Sequence, residues 1–326
     1  MKPTILTTVL LAFICQATAQ VIYVHQGASG AGTSWSDASN DLVGALEVAT
    51  PGTQVWVAAG SYNPAKDNDR AKSFVVPNGV SLIGGFKGTE TSIEDRKIGS
   101  NQTVLSGEIG APGIADNSYN VLLIKNANET TIVDGFLIKG GNANGDVKEA
   151  GKMRCGGGLY IDGQNGSSKP IIRNCGFVNN YGRDGAAVYN NGRDGESSPQ
   201  FVNCTFKGNE AGLDGGAVYN DGRVNGKTNP VFVDCKFEKN LATYGGAICN
   251  ASEAGVCNLT LENCSFESNE AFLRGGAVFS LNGDQKCYLE MQDCTFSANY
   301  PDDQNMVFTS NSSRSKAFQV SRTEQP

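Results

Sequence analysis

The sequence predicts an all-β chain: a right-handed parallel β-helix with three short strands per coil and a helix capping its N-terminal end. Two observations carry this. First, the unit Asn/Asp-Cys-x-Phe-x-x-Asn recurs, and in four of its five copies a glycine-alanine segment and an apolar pair follow. Its cysteines, 175, 204, 235, 264 and 294, step by 29, 31, 29 and 30 residues. A fixed period of roughly 20–50 residues marks a stacked repeat architecture. Second, apolar positions inside each unit alternate with the period of a strand, in runs too short for helices, amid Gly and Asn that oppose helix. Cys204 and Phe206 share one face. Phe201 with Pro199, Phe232 with Pro230, Leu261 with Leu259 and Met291 with Leu289 share another, out of step with the first. The chain must therefore bend just before each cysteine. A single coil cannot bury its inner face, so stacking supplies the core.

Stacking places like residues on like, about 4.8 Å apart. Phe177, Phe206, Phe237, Phe266 and Phe296 then form a column of rings. Asn180, Asn209, Asn240, Asn269 and Asn299 form an amide ladder, each side chain donating to one neighbour and accepting from the other. Cys175, Cys204, Cys235, Cys264 and Cys294 are expected as buried free thiols. In-register Cβ atoms sit near the strand spacing, beyond the roughly 3.5–4.5 Å that a disulfide needs. Cys257 and Cys287 recur at a spacing of 30 and are expected to face solvent. The pairing of Cys155, Cys249, Cys257 and Cys287 is not decided by spacing. An aromatic column runs Tyr160, Tyr189, Tyr219, Cys249, Phe279 beside Val188, Val218 and Ile248. Periodicity does not say which of these columns faces inward.

Taken in order, residues 1–19 read as a secretory signal: Lys2, an apolar run over 9–15, and a small-residue cleavage site ending at Ala19. Residues 20–60 form the cap and first strands. A strand over 22–24 precedes Leu42, Ala45, Leu46 and Ala49 at helical spacing, stopped by Pro51-Gly52. Residues 61–154 form irregular coils, with strands at 80–83, 104–105, 121–124 and 132–138, after an earlier one at 55–57. Residues 142–152 read as a surface loop. Residues 155–300 are the regular repeats. Residues 301–326 read as a polar tail with one weak strand near 306–308.

The net charge of −7 on an exported chain argues against nucleic acid and weakly against anionic lipid. No stretch after the leader is apolar enough for a membrane span. His25 is the only histidine and there is no C-x-x-C, so a zinc site is not expected and no cofactor is implied.

Gly-Gly-Ala-Val/Ile paired with Phe-x-x-Asn resembles the repeats of chlamydial polymorphic outer-membrane proteins. With the stretches SWSDASNDLVGAL, VWVAAGSYN, GVSLIGGFKGTE and TVLSGEIG ahead of them, the chain from about residue 21 to 300 resembles a wider group of bacterial secreted right-handed β-helix proteins. That resemblance implies a pectate-lyase-like fold, export, and surface display or adhesion. No autotransporter barrel or sorting domain is read after the repeats.

The same fold hosts polysaccharide lyases and hydrolases, so fold alone does not settle function. A lyase needs a base, often Lys or Arg, near carboxylates that bind calcium or a uronate. The candidates are Asp162, Asn191 and Asp221, with Arg193 and Arg223 just after, and a second acidic pair, Asp184 and Asp214. Against this, Asp-Gly and Asn-Gly are turn chemistry, and a motif repeated on every coil points to structure. The expectation is a non-enzymatic surface or secreted protein contacting an extracellular glycan or protein. The alternative is a polysaccharide lyase or hydrolase, with calcium in the lyase case.

Overall fold

The structure, a computed structural model, describes residues 20–146, 151–282 and 287–308; the leader read over 1–19 and the tail beyond 308 lie outside the described residues. The chain winds as a right-handed parallel β-solenoid. One regular coil shows the path. Gln200–Val202 lies in a first sheet of twelve strands, and Thr205–Lys207 in a second of eight. Glu210–Asp214 lies in a short sheet of five, and Val218–Asp221 in a further sheet of eight. Equivalent strands pair in parallel and in register from coil to coil, as in Phe201↔Phe232, Phe206↔Phe237 and Val218↔Ile248.

The five-stranded sheet is an addition to the three-strand reading. Its inward residues include Ala211, Ala242 and Ala271, all buried. Alanines carry too little hydropathy to announce a strand, and the outward Glu210, Gly212 and Leu213 read as loop. Its first member, Asn142–Ala143, is buried and falls where a surface loop was expected. The single strand expected over 132–138 is two, Ile132–Asp134 and Phe136–Lys139. Gly135, at φ 85°, turns the chain between them. Asn305 is likewise not tail but part of a strand, Gln304–Phe308, paired with Val278–Asn282.

Each regular coil turns at three left-handed corners in fixed register, and a further left-handed turn, at Asn165, Asp194, Val224-Asn225 and Ala254, follows the third of them in four coils. The first corner is Asn174, Asn203, Asp234, Asn263 or Asp293, at φ 50–55°. The second is Asn179, Gly208, Lys239, Ser268 or Ala298, and the third is Gly156, Gly185, Gly215, Gly245 or Gly275. The third has no room for a side chain: a Cβ on Gly215 would come within 2.2 Å of the Val218 carbonyl oxygen.

The core fills the space between the sheets. Rings of Phe177, Phe206, Phe237, Phe266 and Phe296 stack at 5.1, 4.7, 4.6 and 4.9 Å, nearly parallel. Burying each Phe contributes about 2–3 kcal/mol before entropy. Asn180, Asn209, Asn240 and Asn269 each donate from Nδ2 to the Oδ1 of the next coil's Asn at 2.9–3.1 Å. The other Nδ2 hydrogen of Asn240 goes back to the Phe206 carbonyl at 3.0 Å, and the Asn240 Oδ1 also accepts from the Asn209 backbone N–H. Every valence of the amide is used. Asn299 ends the ladder half-buried.

Cys175, Cys204, Cys235, Cys264 and Cys294 are free thiols, and the first four are buried. Each Sγ lies 3.5–3.7 Å from a carbonyl of the preceding coil. Burial pushes the Cys175 thiol up to about 12. Cys257 and Cys287, expected at the surface, are buried in-register neighbours. They share a strand face with Leu259 and Leu289, which continues the inward alternation farther back than the sequence suggested.

At the N-terminal end, Leu42–Val48 forms an α-helix with Asp41 as its N-cap, whose carboxylate accepts from Gly44 N. Leu42, Ala45 and Leu46 are buried against the first coils. The helix thereby covers apolar surface at the start of the stack.

Candidate functional site

Alternation decides the question that periodicity left open. Val188 and Val218 point into the core, and Tyr189 and Tyr219, one residue on, point to the outer face of their sheet. The tyrosines are nonetheless 1% and 3% exposed, in a second apolar cluster with Tyr160, Cys249, Phe279 and Cys155. Tyr160, Tyr189 and Tyr219 stack at 5.3 and 5.4 Å. Cys249 interrupts the stack, and Tyr244 leans onto Phe279 at 4.9 Å.

One residue after Tyr189, Tyr219 and Cys249 is an inward polar ladder that the sequence reading missed. Asn190, Asn220 and Asn250 are buried, and each Nδ2 reaches the next coil, ending on Ser280 Oγ, at 2.6, 2.7 and 3.0 Å. The signal was present as Tyr-Asn-Asn, Tyr-Asn-Asp and Cys-Asn-Ala at a constant offset.

Two residues after each tyrosine lie the candidates Asp162, Asn191 and Asp221, and the structure gathers them along the hydroxyl edge of the stack. Asp221 is fully buried. Its Oδ1 takes Arg223 Nε at 2.7 Å and its Oδ2 takes Arg223 Nη2 at 2.8 Å, and the Tyr189 hydroxyl also donates to Oδ2. The Arg223 guanidinium sits over the Tyr219 ring at 5.6 Å. The hydrogen bond to Asp221 raises the Arg223 pKa above its already high value. One coil back, Asn191 Nδ2 lies 3.1 Å from the Tyr160 hydroxyl and 3.0 Å from Asp162 Oδ1. Asp162 also faces Lys125 at 3.6 Å. Arg193 follows Asn191 as Arg223 follows Asp221, and its backbone N–H donates to Asn191 Oδ1.

Asp184 and Asp214 are in-register neighbours on the short sheet. Asp184 is buried; its Oδ2 lies 3.3 Å from Arg183 and 3.7 Å from Cys155 Sγ, and among the described residues its Oδ1 has no partner. Burial raises the Asp184 carboxyl. Burial, with the Asp184 charge beside it, raises Asp214 to about 6.

This arrangement limits the chemistry. A lyase base accepts a proton from its substrate, so an arginine in that role must first be neutral, and the buried Asp221 carboxylate holds Arg223 protonated. Both Asp221 oxygens are spent, so it has little to offer a ligand. Calcium takes six to eight oxygen ligands. Among the described residues no group of three or more His, Cys, Asp or Glu side chains is placed to hold a metal ion.

The profile of the Chlamydia polymorphic membrane protein (Chlamydia_PMP) repeat matches residues 203–221, one repeat from its first corner to the buried Asp221. No curated protein matches the sequence. Among solved structures, pectate lyase Pel9A is similar at 11% identity and a TM-score of 0.48, over 88% of this chain and 80% of that one. The pectin methylesterase from Aspergillus niger is similar at 12% identity and a TM-score of 0.46, over 91% and 93%. Pectin methylesterase PemA from Erwinia chrysanthemi is similar at 11% identity and a TM-score of 0.44, over 90% and 94%.

Proposed function

We propose that this chain is an exported, non-enzymatic β-helix that contacts extracellular glycans or proteins from a bacterial surface or after release from it. The observation that carries the reading is the Asp221–Arg223 pair. The residues best placed for lyase chemistry are bonded to each other and to the Tyr189 hydroxyl. Asn191 repeats the contact to a tyrosine hydroxyl one coil earlier. The strip therefore serves to dock Tyr160 and Tyr189 on the following coil. The leader-like start over residues 1–19 supports export. The matched repeat is named for a membrane protein of Chlamydia, which supports a surface setting. Among the described residues no helix is long and apolar enough to cross a membrane.

Incubation with polygalacturonate and other uronate-containing polysaccharides, with and without calcium, tests it. The expected result is no rise in the absorbance of unsaturated product and no release of reducing ends. Turnover that disappears in Arg223→Ala, in a protein that still melts cooperatively, would contradict the reading and favour the enzymatic one.

A further inference from the structure

The outer face of the first sheet carries an aromatic cluster at its N-terminal end, away from the tyrosine strip. Trp56, Ile83 and Phe86 are buried there, and Tyr23 and Trp35 pack on them half-exposed. Trp56 stacks on Phe86 at 4.6 Å. Trp35 lies 4.9 Å from Tyr23, edge to face, and 5.4 Å from Phe86. Tyr23 and Trp35 line a groove of about 730 Å³, with Ser36, Thr89 and Thr91 exposed along its rim.

The frame of the groove is fixed from within. Trp35 Nε1 donates to the Glu90 carbonyl at 2.9 Å, which holds the indole against the turn over residues 87–91. That turn is closed by the Glu90 carboxylate, which accepts from the backbone N–H groups of Lys87, Gly88 and Thr89 at 2.6, 2.9 and 3.0 Å. Glu90 is the one acid in the lining, and its oxygens are occupied. The turn stands beside the rings as a wall and leaves Trp35 and Tyr23 open to the groove. The Thr89 and Thr91 side-chain hydroxyls make no hydrogen bond among the described residues.

We propose that this groove binds a neutral pyranose unit of an oligosaccharide. Aromatic faces are electron-rich and attract the C–H face of a sugar ring, and Trp and Tyr supply that area at low entropic cost. The rim hydroxyls both donate and accept, as sugar hydroxyls require. No unspent charge in the lining is available to pair with an ionic ligand. The volume falls in the range of small-molecule sites, about 300–1,000 Å³. The proposal shares the glycan-contact reading above in its ligand class, but it places the contact on the N-terminal coils.

The protein has two tryptophans, Trp35 and Trp56, both in this cluster, so intrinsic fluorescence reports on the groove. The full chain is titrated with cello-, malto-, manno- and xylo-oligosaccharides, and with oligogalacturonate as the charged comparison. At least one neutral oligosaccharide is expected to give a saturable change. Trp35→Ala should weaken binding about tenfold, as removal of an aromatic anchor does, and Thr89→Ala by a few-fold. Because Trp35→Ala removes part of the signal and loosens the cluster, ligand-detected NMR and a thermal melt accompany it. Thr89→Ala gives an independent reading. No saturable response to any neutral oligosaccharide, binding of oligogalacturonate alone, or affinity unchanged in both variants overturns the proposal. Product formation in the uronate assay would refute the non-enzymatic reading and leave this groove untouched.

Discussion

Asp134 in the irregular N-terminal coils and Asn240 in the regular repeats are both buried polar residues beside a corner, and they are satisfied in different ways. Asn240 is held by copies of itself: Asn209 before it and Asn269 after it. Asp134 has no copy. The next coil sets Arg173 at its register position, and the carboxylate is filled by Arg173 at 2.8 Å, Arg96 at 2.9 Å and Asn174 at 2.8 Å. An amide both donates and accepts, so one residue type can serve every coil of a stack. A carboxylate only accepts, so it needs donors brought from elsewhere in the chain. Where the repeat holds, polar corners are solved once and copied; where it lapses, each corner needs its own partners.

The largest effect that tests this contrast is expected at Asp134. Asp134→Leu leaves the largely buried Arg96 without its carboxylate, while Arg173, 43% exposed, can turn to water, and should cost about 3 kcal/mol in denaturant unfolding. A loss under about 1 kcal/mol would mean that the arginines are solvated and the clamp is incidental. Asn240→Leu comes next, because both neighbouring amides lose one partner each; about 2–3 kcal/mol is expected. Asp214 sharpens the comparison, since it sits within the repeats yet is not satisfied by them. Its folded pKa of about 6 lies above the usual carboxylate value near 3.9, so the native state keeps a proton that the unfolded chain has released. Stability should therefore fall as pH rises from about 4 through about 6, then level. Asp214→Asn should remove the Asp214 share of that fall and leave the share of the raised Asp184 carboxyl, adding about 1–2 kcal/mol at pH 8 and little at pH 4. Parallel pH profiles for the two proteins would remove the raised carboxyl from the account. The smallest effect is at Lys239, held at φ 54° where the preceding coil has Gly208 at φ 61°. Left-handed backbone costs an L-residue about 1–2 kcal/mol, and glycine returns part of that as entropy. Lys239→Gly should thus raise stability by about 0.5–1 kcal/mol in a thermal melt, and a loss would show that the Lys239 side chain contributes more than its corner costs.

The same contrast explains what could be read from the sequence. The coil period, the Phe column and the Asn ladder were legible because repetition turns a weak local signal into a fixed offset. The corner at Lys239, Ser268 and Ala298 was not, since these residue types do not advertise a left-handed turn and only Gly208 and Asn179 in that column do. The short sheet escaped because its inner wall is alanine. Cys257 and Cys287 were misplaced because the pattern was followed only to Leu259 and Leu289, two residues short. At the candidate strip the sequence supplied the residues Asp221 and Arg223 but not their bidentate pairing, which depends on side-chain geometry within one tight turn. Asp134 carried no signal, because its partners lie 38 and 39 residues away in opposite directions. The groove at Trp35 joins segments more than fifty residues apart, and no period links them.

The central claim is that the repeats stand through contacts copied from coil to coil, while the N-terminal coils stand on their own. Hydrogen exchange resolved by peptide, on the wild-type chain and Asn240→Leu, tests it most directly. Coupling between neighbouring repeats predicts lost protection in the strands around Phe206, Phe237 and Phe266, fading with distance and absent near Val55. Unchanged protection at Phe206 and Phe266, or a uniform loss that reaches Val55, would contradict it.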